Sequence, residues 1–438
     1  MKQFFIPVFF LFCCFTSKPQ INSNKLWYRQ PAKVWEEALP VGNGRLGAMV
    51  FGDPGQEVIQ LNEESIWAGS KINNNNPEAI THLKELQAAL FKSNYKDALQ
   101  LADKYFLGTP PEIRSYQPLG NLLIDYNWKQ APSDYRRELN LQTGIATTFF
   151  KIGQSGFSQK VYVSAPDNII VIQLNSENNG VINASVRLQR DIDASTAYSN
   201  GAIKLTGQII DKNEKKARPG GAHMNFNAEL RVKTLTGTIK AEKDKLIISN
   251  AKSVTIILKA ATDYNLEKLN FDRTINPGEK CKTILDKAIK YSSAQIEQKH
   301  LKEFQPVFNR VKLRLGSDSL INLPTDKRLE LVKNGGADNG LMALYFQYGR
   351  YLLMSSSRKP GVLPANLQGI WNKDFNAAWN SDFHTNINLQ MNYWLAENCN
   401  LPEASLILSR FMQKIAGPGA VTAKEMYGTK GWTLHHLT

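Results

Sequence analysis

The chain has 438 residues, of which 42% are hydrophobic and 21% are charged. This composition excludes a disordered chain, a collagen-like fibre and a small disulfide-stabilised protein, and the length allows about two or three domains. The formal net charge is +14. A basic balance permits contact with nucleic acid, but the lysines are scattered along the chain, so we predict no nucleic-acid binding.

The first 20 residues predict a signal peptide. Lys2 precedes an almost wholly apolar stretch, residues 4–15, which is too short to span a bilayer. Cys13 or Cys14 is a candidate for lipid attachment, and the alternative is a signal peptide that is cleaved a few residues later. We therefore expect a secreted or periplasmic protein, with a lipid anchor at one of these cysteines as the open alternative, and no transmembrane segment.

Residues 24–270 predict an N-terminal β-sandwich domain. Short runs of β-branched and aromatic residues, such as 147–150 and 168–172, are separated by turn residues at short intervals. This pattern is typical of an antiparallel sandwich. One helical insertion interrupts it, with Asn76 as its predicted N-cap and Pro77 at its first helical position.

Beyond this domain the apolar spacing changes to that of helices. Residues 278–322 predict a helical linker, and residues 323–438 predict a helical domain that includes a strong helix from Leu341 to Leu353. The fold class is therefore multidomain β plus α, with a β-sandwich, a helical linker and an all-α domain in that order.

Two motifs resemble ligand sites, but the residues around them argue against a dinucleotide site and a metal site. Residues 42–47 match the G-x-G-x-x-G pattern, yet a strand-like segment follows where a dinucleotide site needs a helix, so we predict glycines in tight turns. His435 and His436 are adjacent, which makes them a poor chelating pair. We predict no metal and no cofactor.

The most informative stretch is residues 371–394, which is rich in aromatic and amide side chains. Aromatic rings offer apolar faces, and amides offer both donors and acceptors. A sugar ring presents the complementary surface, apolar C–H faces and a rim of hydroxyl groups. We therefore predict a sugar site here, with the ring of Trp371 stacked on the substrate.

Spacing within this stretch predicts an extended segment. Four polar residues fall at every second position, and they are His384, Asn386, Asn388 and Gln390. On an extended backbone they would share one face. The alternative, an Asn-rich loop whose amides satisfy its own backbone, is equally compatible with the spacing.

Chemistry limits what asparagine can do in this segment. An amide can orient a water molecule, but it cannot take the proton, so a carboxylate must lie nearby, and glycosidic hydrolysis also needs a protonated acid. The nearby carboxylates are Asp374, Asp382 and Glu397. We expect these three to be ordinary surface or capping residues.

These motifs together resemble glycoside hydrolase family 95, the inverting α-L-fucosidases that act on α-1,2-linked fucose. The resemblance covers nearly all of the chain after its first 20 residues. Its main segments are residues 36–49, 60–64, 345–353, 364–372 and 384–394. It implies a β-sandwich, a helical linker and an (α/α)6 barrel, of which this chain would hold the N-terminal part, and a fucosylated oligosaccharide or glycan as the partner.

The resemblance also implies roles for individual residues. Asn386 and Asn388 match the asparagine pair that orients the attacking water, and His384 matches a histidine of the sugar pocket. We add Trp371 and Gln390 as substrate-binding residues. The family's general acid, a Glu, and its water-polarising Asp come from later in the barrel than Thr438, so we expect a truncated chain with poor solubility and little turnover of its own.

Three hypotheses about the function remain open. The first is an α-L-fucosidase-type glycoside hydrolase. The second is a related enzyme, such as an α-L-galactosidase or a phosphorylase, although Lys373 is the only Lys or Arg between Trp371 and Trp394 and a phosphorylase needs a basic anion site. The third is a non-catalytic or defunct sugar-binding fragment.

Overall fold

The computed structural model describes residues 24–109, 111, 113–211 and 221–438. The predicted signal peptide, with Cys13 and Cys14, lies outside these residues. Within them, the chain forms antiparallel sheets up to residue 271, interrupted by two helices between residues 79 and 105, and further helices from residue 277 onward. The predicted multidomain β plus α fold is confirmed.

Two large antiparallel sheets form the β-domain. The first has nine strands in the order β1-β6-β7-β8-β9-β16-β13-β12-β11, and the second has seven in the order β14-β15-β10-β5-β4-β3-β2. The strands are β1 (Lys25–Tyr28), β2 (Leu39–Gly42), β3 (Leu46–Val50), β4 (Gln56–Glu63), β5 (Gly120–Tyr126), β6 (Ser133–Asn140), β7 (Ile145–Ile152), β8 (Ser155–Ser164), β9 (Ile169–Ser176), β10 (Ile182–Gln189), β11 (Ala194–Ser199), β12 (Ala202–Asp211), β13 (Gly221–Thr234), β14 (Thr238–Glu242), β15 (Lys245–Ala251) and β16 (Ser253–Thr262), with a separate hairpin of β17 (Tyr264–Asn265) and β18 (Asn270–Phe271).

Eight α-helices complete the described part of the chain. They are α1 (Ala79–Phe91), α2 (Tyr95–Tyr105), α3 (Pro277–Ala288), α4 (Ser293–Phe308), α5 (Thr325–Lys333), α6 (Asn339–Ser356), α7 (Asn388–Asn398) and α8 (Pro402–Tyr427). None of these helices combines the length and the apolarity that a membrane crossing would need. The predicted cap at Asn76 was misplaced: α1 begins at Ala79, and Asn76 instead accepts a bond from the backbone N–H of Glu78.

Burial along the strands follows from what covers each sheet face. Strand β10 alternates buried and part-exposed residues, as expected when one face packs on the core and the other meets solvent. Strand β16 is buried on both faces. Its outward residue Ile257 packs against Leu285 of α3 and Ile296 of α4, so the linker helices cover the outer face of the nine-stranded sheet.

The glycine-rich segment lies where the β-domain meets α6. Strands β2 and β3 pair antiparallel, with Gly42 opposite Gly47. Gly44 lies in the turn between them with a φ of 88°, and its N–H donates to the carbonyl of Ser355 over 2.8 Å. A Cβ at Gly44 would come within 2.0 Å of the carbonyl oxygen of Arg358. The predicted tight turn is therefore found, and its glycine permits a close approach between the two domains.

A buried carboxylate holds the segment after α6 against the β-domain. Glu64 accepts hydrogen bonds from the backbone N–H groups of Val362 (2.9 Å) and Leu363 (2.8 Å), and it pairs with Arg45 over 3.1 Å. Burial raises the pKa of Glu64 to about 7, and the charge of Arg45 opposes this rise. The segment that follows therefore starts from a fixed position.

Replacing Glu64 by Ala should destabilise the protein strongly. The change leaves Arg45 with one buried partner fewer and leaves two backbone N–H groups without an acceptor. Breaking a buried ion pair in this way costs about 3 kcal/mol, measurable as a lower free energy of unfolding in chemical denaturation.

Glu36→Ala is the matched control for this variant. Glu36 also bridges the β-domain to the later segment, through Lys373, but on the exposed surface. Solvent screens that pair, so we expect little change in stability. Equal losses for the two variants would refute the role given to Glu64.

Candidate active site

The segment that joins α6 to α7 turns back on itself at three residues. Trp379, Asn380 and Ser381 all have positive φ, between 46° and 55°. Such a conformation is unfavourable for residues other than glycine. Two contacts offset the cost: the Asn380 carbonyl accepts from the backbone N–H of Tyr116 (2.9 Å), and the Ser381 hydroxyl donates to Asn366 Oδ1 (3.1 Å).

The predicted extended segment is wrong. Only His384 takes part in a β-bridge, with Leu437, and residues 385–387 form a turn that leads into α7 at Asn388. Helical bonds replace strand bonds: the N–H of Met391 donates to the carbonyl of Ile387 over 2.9 Å. The four alternating polar residues therefore do not share one face, because local helix formation overrides their spacing of two.

Asn386 and Asn388 lie in and just after this turn, and both are exposed. Among the described residues, no side-chain hydrogen bond is made by either amide. Asn388 is also the first residue of α7, where backbone N–H groups lack helical partners. The turn thus presents two unoccupied amides and a helix N-terminus to solvent, within four residues of His384.

Other asparagines of the same stretch bind the backbone instead. The Nδ2 of buried Asn372 donates to the carbonyls of Tyr116 (2.9 Å) and Asp374 (2.8 Å), and Asn392 donates to the carbonyl of Asn366 (3.0 Å). These two amides therefore bind backbone carbonyls elsewhere in the described structure, which the amides of Asn386 and Asn388 do not do.

Asp382 is a buried partner of His384, a role that the sequence pattern did not predict. Its side chain is 1% exposed, whereas we expected a surface or capping carboxylate. His384 Nδ1 contacts Asp382 Oδ1. Burial raises the pKa of Asp382, and the hydrogen bond from His384 partly opposes this rise. The D-x-H spacing was the only signal in the sequence, and it did not reveal burial.

This contact determines which nitrogen of His384 faces outward. With Nδ1 directed at the carboxylate, the neutral ring carries its proton on Nδ1 and presents Nε2 as an acceptor. The described part of the chain gives Nε2 no hydrogen-bond partner. Nε2 is therefore available to a hydroxyl group.

The final residues of the chain pair with the segment around His384. The N–H of Thr385 donates to the carbonyl of His436 (2.8 Å), and the N–H of Thr438 donates to that of Phe383 (3.2 Å). The ring of His436 meets His384 edge-on, with centroids 5.0 Å apart, whereas His435 contacts the hydroxyl of Tyr427. The two adjacent histidines thus have different partners, and the described residues contain no group of three or more His, Cys, Asp or Glu suited to a metal ion.

Trp371 is a core residue, so its predicted stacking on a substrate is wrong in this structure. It is 5% exposed and packs with Ala32, Met49 and Ile370 between the domains. Its indole N–H donates to the carbonyl of Val41 over 3.0 Å. The ring therefore fills the domain interface and leaves no face for a sugar.

Gln390 is exposed, but its amide has a structural contact. Its Nε2 donates to the carbonyl of Thr385 over 2.7 Å. This bond closes the turn that carries Asn386. Gln390 therefore supports the turn, and its predicted contact with substrate stays a prediction.

Comparison with known proteins places the two parts of the chain in carbohydrate-active families. Residues 26–267 match the family described as glycosyl hydrolase family 65, N-terminal domain. Residues 292–438 match the glycosyl hydrolase family 95 catalytic domain.

Curated relatives carry fucosidase names. The chain is 32% identical to Alpha-L-fucosidase 2 of Arabidopsis thaliana, in an alignment that covers 94% of this chain and 51% of the relative. It is 30% identical to the protein named Probable alpha-fucosidase A of Aspergillus niger, over 96% of this chain and 54% of the relative. The chain thus spans about half the length of these relatives.

One solved structure supports the architecture. It carries the description of a kojibiose phosphorylase from the human microbiome, and it superposes with a TM-score of 0.55 at 13% identity. The match covers 96% of this chain and 52% of that one. At this identity the likeness concerns the fold alone.

Trp371→Ala should mainly reduce stability. Removing a buried tryptophan leaves a large cavity and an unpaired carbonyl on Val41, so the free energy of unfolding should fall by about 3–5 kcal/mol. The matched control is Trp379→Ala, because Trp379 is 76% exposed. We expect that variant to stay within about 0.5 kcal/mol of the parent. Chemical denaturation of both variants decides the matter, and a stable Trp371→Ala protein would contradict the core assignment.

Proposed function

Because the chain belongs to glycoside hydrolase family 95, we propose that it carries the water-orienting part of an α-L-fucosidase site. The proposed substrate is a glycan with a terminal α-1,2-linked L-fucose. The observation that carries the proposal is the turn before α7, where two unoccupied amides lie beside a histidine that a buried carboxylate orients.

The proposed chemistry is an inverting hydrolysis. The amide oxygens of Asn386 and Asn388 would accept hydrogens from a water molecule and so direct its lone pair at the anomeric carbon. His384 Nε2 would accept a hydrogen bond from a sugar hydroxyl, with Asp382 holding the ring in place. Asp382 is a positioning residue in this scheme, because it acts through His384.

Two further groups are needed, a base for the water proton and an acid for the leaving oxygen. Asp374 and Glu397 are exposed, and Asp382 is engaged with His384. None of these three combines a free carboxyl with a place beside the amide pair. We propose that the acid and the base come from a part of the family's fold that lies beyond the residues described.

A related sugar is the second candidate. L-Galactose differs from L-fucose only by a hydroxyl on C6, so an α-L-galactosidase would use the same amides and histidine. A chain that binds fucose without releasing it is the third. We also propose export from the cytoplasm, which rests on the sequence of residues 1–20.

Asn388→Ala should weaken the binding of L-fucose to the purified chain by about tenfold. The anomeric hydroxyl of the bound sugar would occupy the place of the attacking water, and without the amide it loses a polar contact worth about 1–1.5 kcal/mol. Isothermal titration with L-fucose, and with L-galactose as a competitor, measures this change. Asn398→Ala is the matched control, since Asn398 is exposed at the other end of α7. Equal affinity of Asn388→Ala and the parent chain would remove Asn388 from the site.

The purified chain should release little or no fucose from 2′-fucosyllactose, because none of the three nearby carboxylates, Asp374, Asp382 and Glu397, is placed as the acid. Chromatographic detection of free fucose measures the release. Robust release would show that the acid and the base lie within this chain. Aryl glucosides and galactosides serve as controls for the sugar class, and their hydrolysis would contradict the proposed specificity.

A further inference from the structure

A cavity of about 620 Å³ lies between three parts of the molecule, and the function proposed above does not use it. Its walls come from the segments that flank α1 and α2, from the β-domain around β13 and β18, and from α8 with the C-terminal residues. This volume is in the range of small-molecule sites. None of the residues of the amide turn, 384–390, lines it.

Hydrogen bonds between separate elements build one wall of the cavity. Thr422 of α8 donates its hydroxyl to Asn75 Oδ1 (2.8 Å), and Asn75 Nδ2 donates to Glu425 (2.9 Å). These contacts tie the segment before α1 to α8. The wall is thus formed by specific contacts between distant parts of the sequence.

Aromatic rings form a continuous floor. The ring centroids of Trp67 and Phe383 lie 5.2 Å apart, and those of Phe383 and Phe411 lie 4.9 Å apart. Tyr264 and Phe271 add further rings from the β-domain. Such a surface suits the apolar C–H face of a sugar ring.

His223 of β13 lines the cavity and supplies an unsatisfied polar group. Its side chain lines the cavity and is only 6% exposed, yet neither ring nitrogen has a hydrogen-bond partner in the described structure. Burial lowers the pKa of His223, and the charge of Arg114 lowers it further, so the ring is neutral at pH 7. A neutral imidazole offers one donor and one acceptor, which matches a hydroxyl group.

The charges around the cavity favour a neutral ligand. Of the residues described, those that line it include no Asp or Glu side chain. The cation Arg114 is paired with Asp211, and Lys71 is exposed. An anionic ligand would therefore find no buried cation free of a counter-charge, whereas a neutral polyol can use the imidazole, amides and hydroxyls.

We propose that this cavity is a second carbohydrate site, which binds neutral sugar units of a glycan other than its fucose. The proposal rests on the proposed function for its substrate class. The cavity reaches His436, whose ring contacts His384, so the two sites are neighbours separated by one side chain. A branched glycan could thus contact both.

The test measures binding of lactose, a neutral disaccharide without fucose, to the full chain by isothermal titration. His223→Phe keeps a planar aromatic ring and removes both nitrogens. We expect it to lower the lactose affinity at least tenfold. Because those nitrogens have no partner in the folded protein, thermal stability should be unchanged or slightly higher. His82→Ala is the matched control, since His82 lies on α1 and stacks on Tyr105 away from the cavity.

Three results would overturn the proposal: lactose does not bind the parent chain at millimolar concentration, His223→Phe binds it equally well, or digalacturonate binds more tightly than lactose. The Asn388→Ala variant separates this test from that of the proposed function. It should lose affinity for L-fucose while its affinity for lactose stays at the parent value. Loss of fucose binding alone would therefore not contradict the cavity assignment. Loss of lactose binding alone would likewise not contradict the proposed fucose site.

Discussion

A carboxylate buried between two domains is stable only when donors and a counter-charge surround it, and Glu64 has both. Its two backbone donors belong to the start of the segment that joins α6 to α7, and its counter-charge, Arg45, belongs to the β-domain. The indole N–H of Trp371 and the hydroxyl of Tyr116 bind across the same interface. Through these contacts the β-domain fixes the position of the segment that carries the candidate site.

The asparagines of that segment divide by their surroundings rather than by their spacing. Where the chain is covered by the β-domain, as at Asn372, the amide must satisfy nearby backbone groups because water cannot. At the turn before α7 the chain is exposed to solvent, so the amides of Asn386 and Asn388 are not needed to satisfy buried backbone groups. Residues of one type thus serve the scaffold in one place and are free for a ligand in the other.

The aromatic residues show a similar division. Trp371 fills the interface, whereas Trp67, Phe383 and Phe411 continue from the interface into the floor of the cavity. Phe383 directly precedes His384, so the cavity and the amide turn lie on either side of one short stretch. Any ligand large enough to contact both would meet the β-domain, the helical domain and the insertion together.

The sequence by itself determined the class of the fold and the order of its parts. Alternation over the strands and helical spacing beyond residue 277 are local signals, and they are dependable where the periodic segment is long. Composition also identified residues 371–394 as the informative stretch, and the motifs identified the family. What spacing suggested within that stretch, an extended face of four polar side chains, did not hold.

Only the tertiary structure decided which side chains are free and which are buried. Trp371 and Asp382 are both buried, one under the β-domain and the other beneath His384, and no local pattern encodes a partner that is distant in sequence. The cavity depends even more on contacts between residues that are distant in sequence. Asn75, His223 and Thr422 are far apart in the chain, and they line one volume because the insertion, the β-domain and α8 meet there.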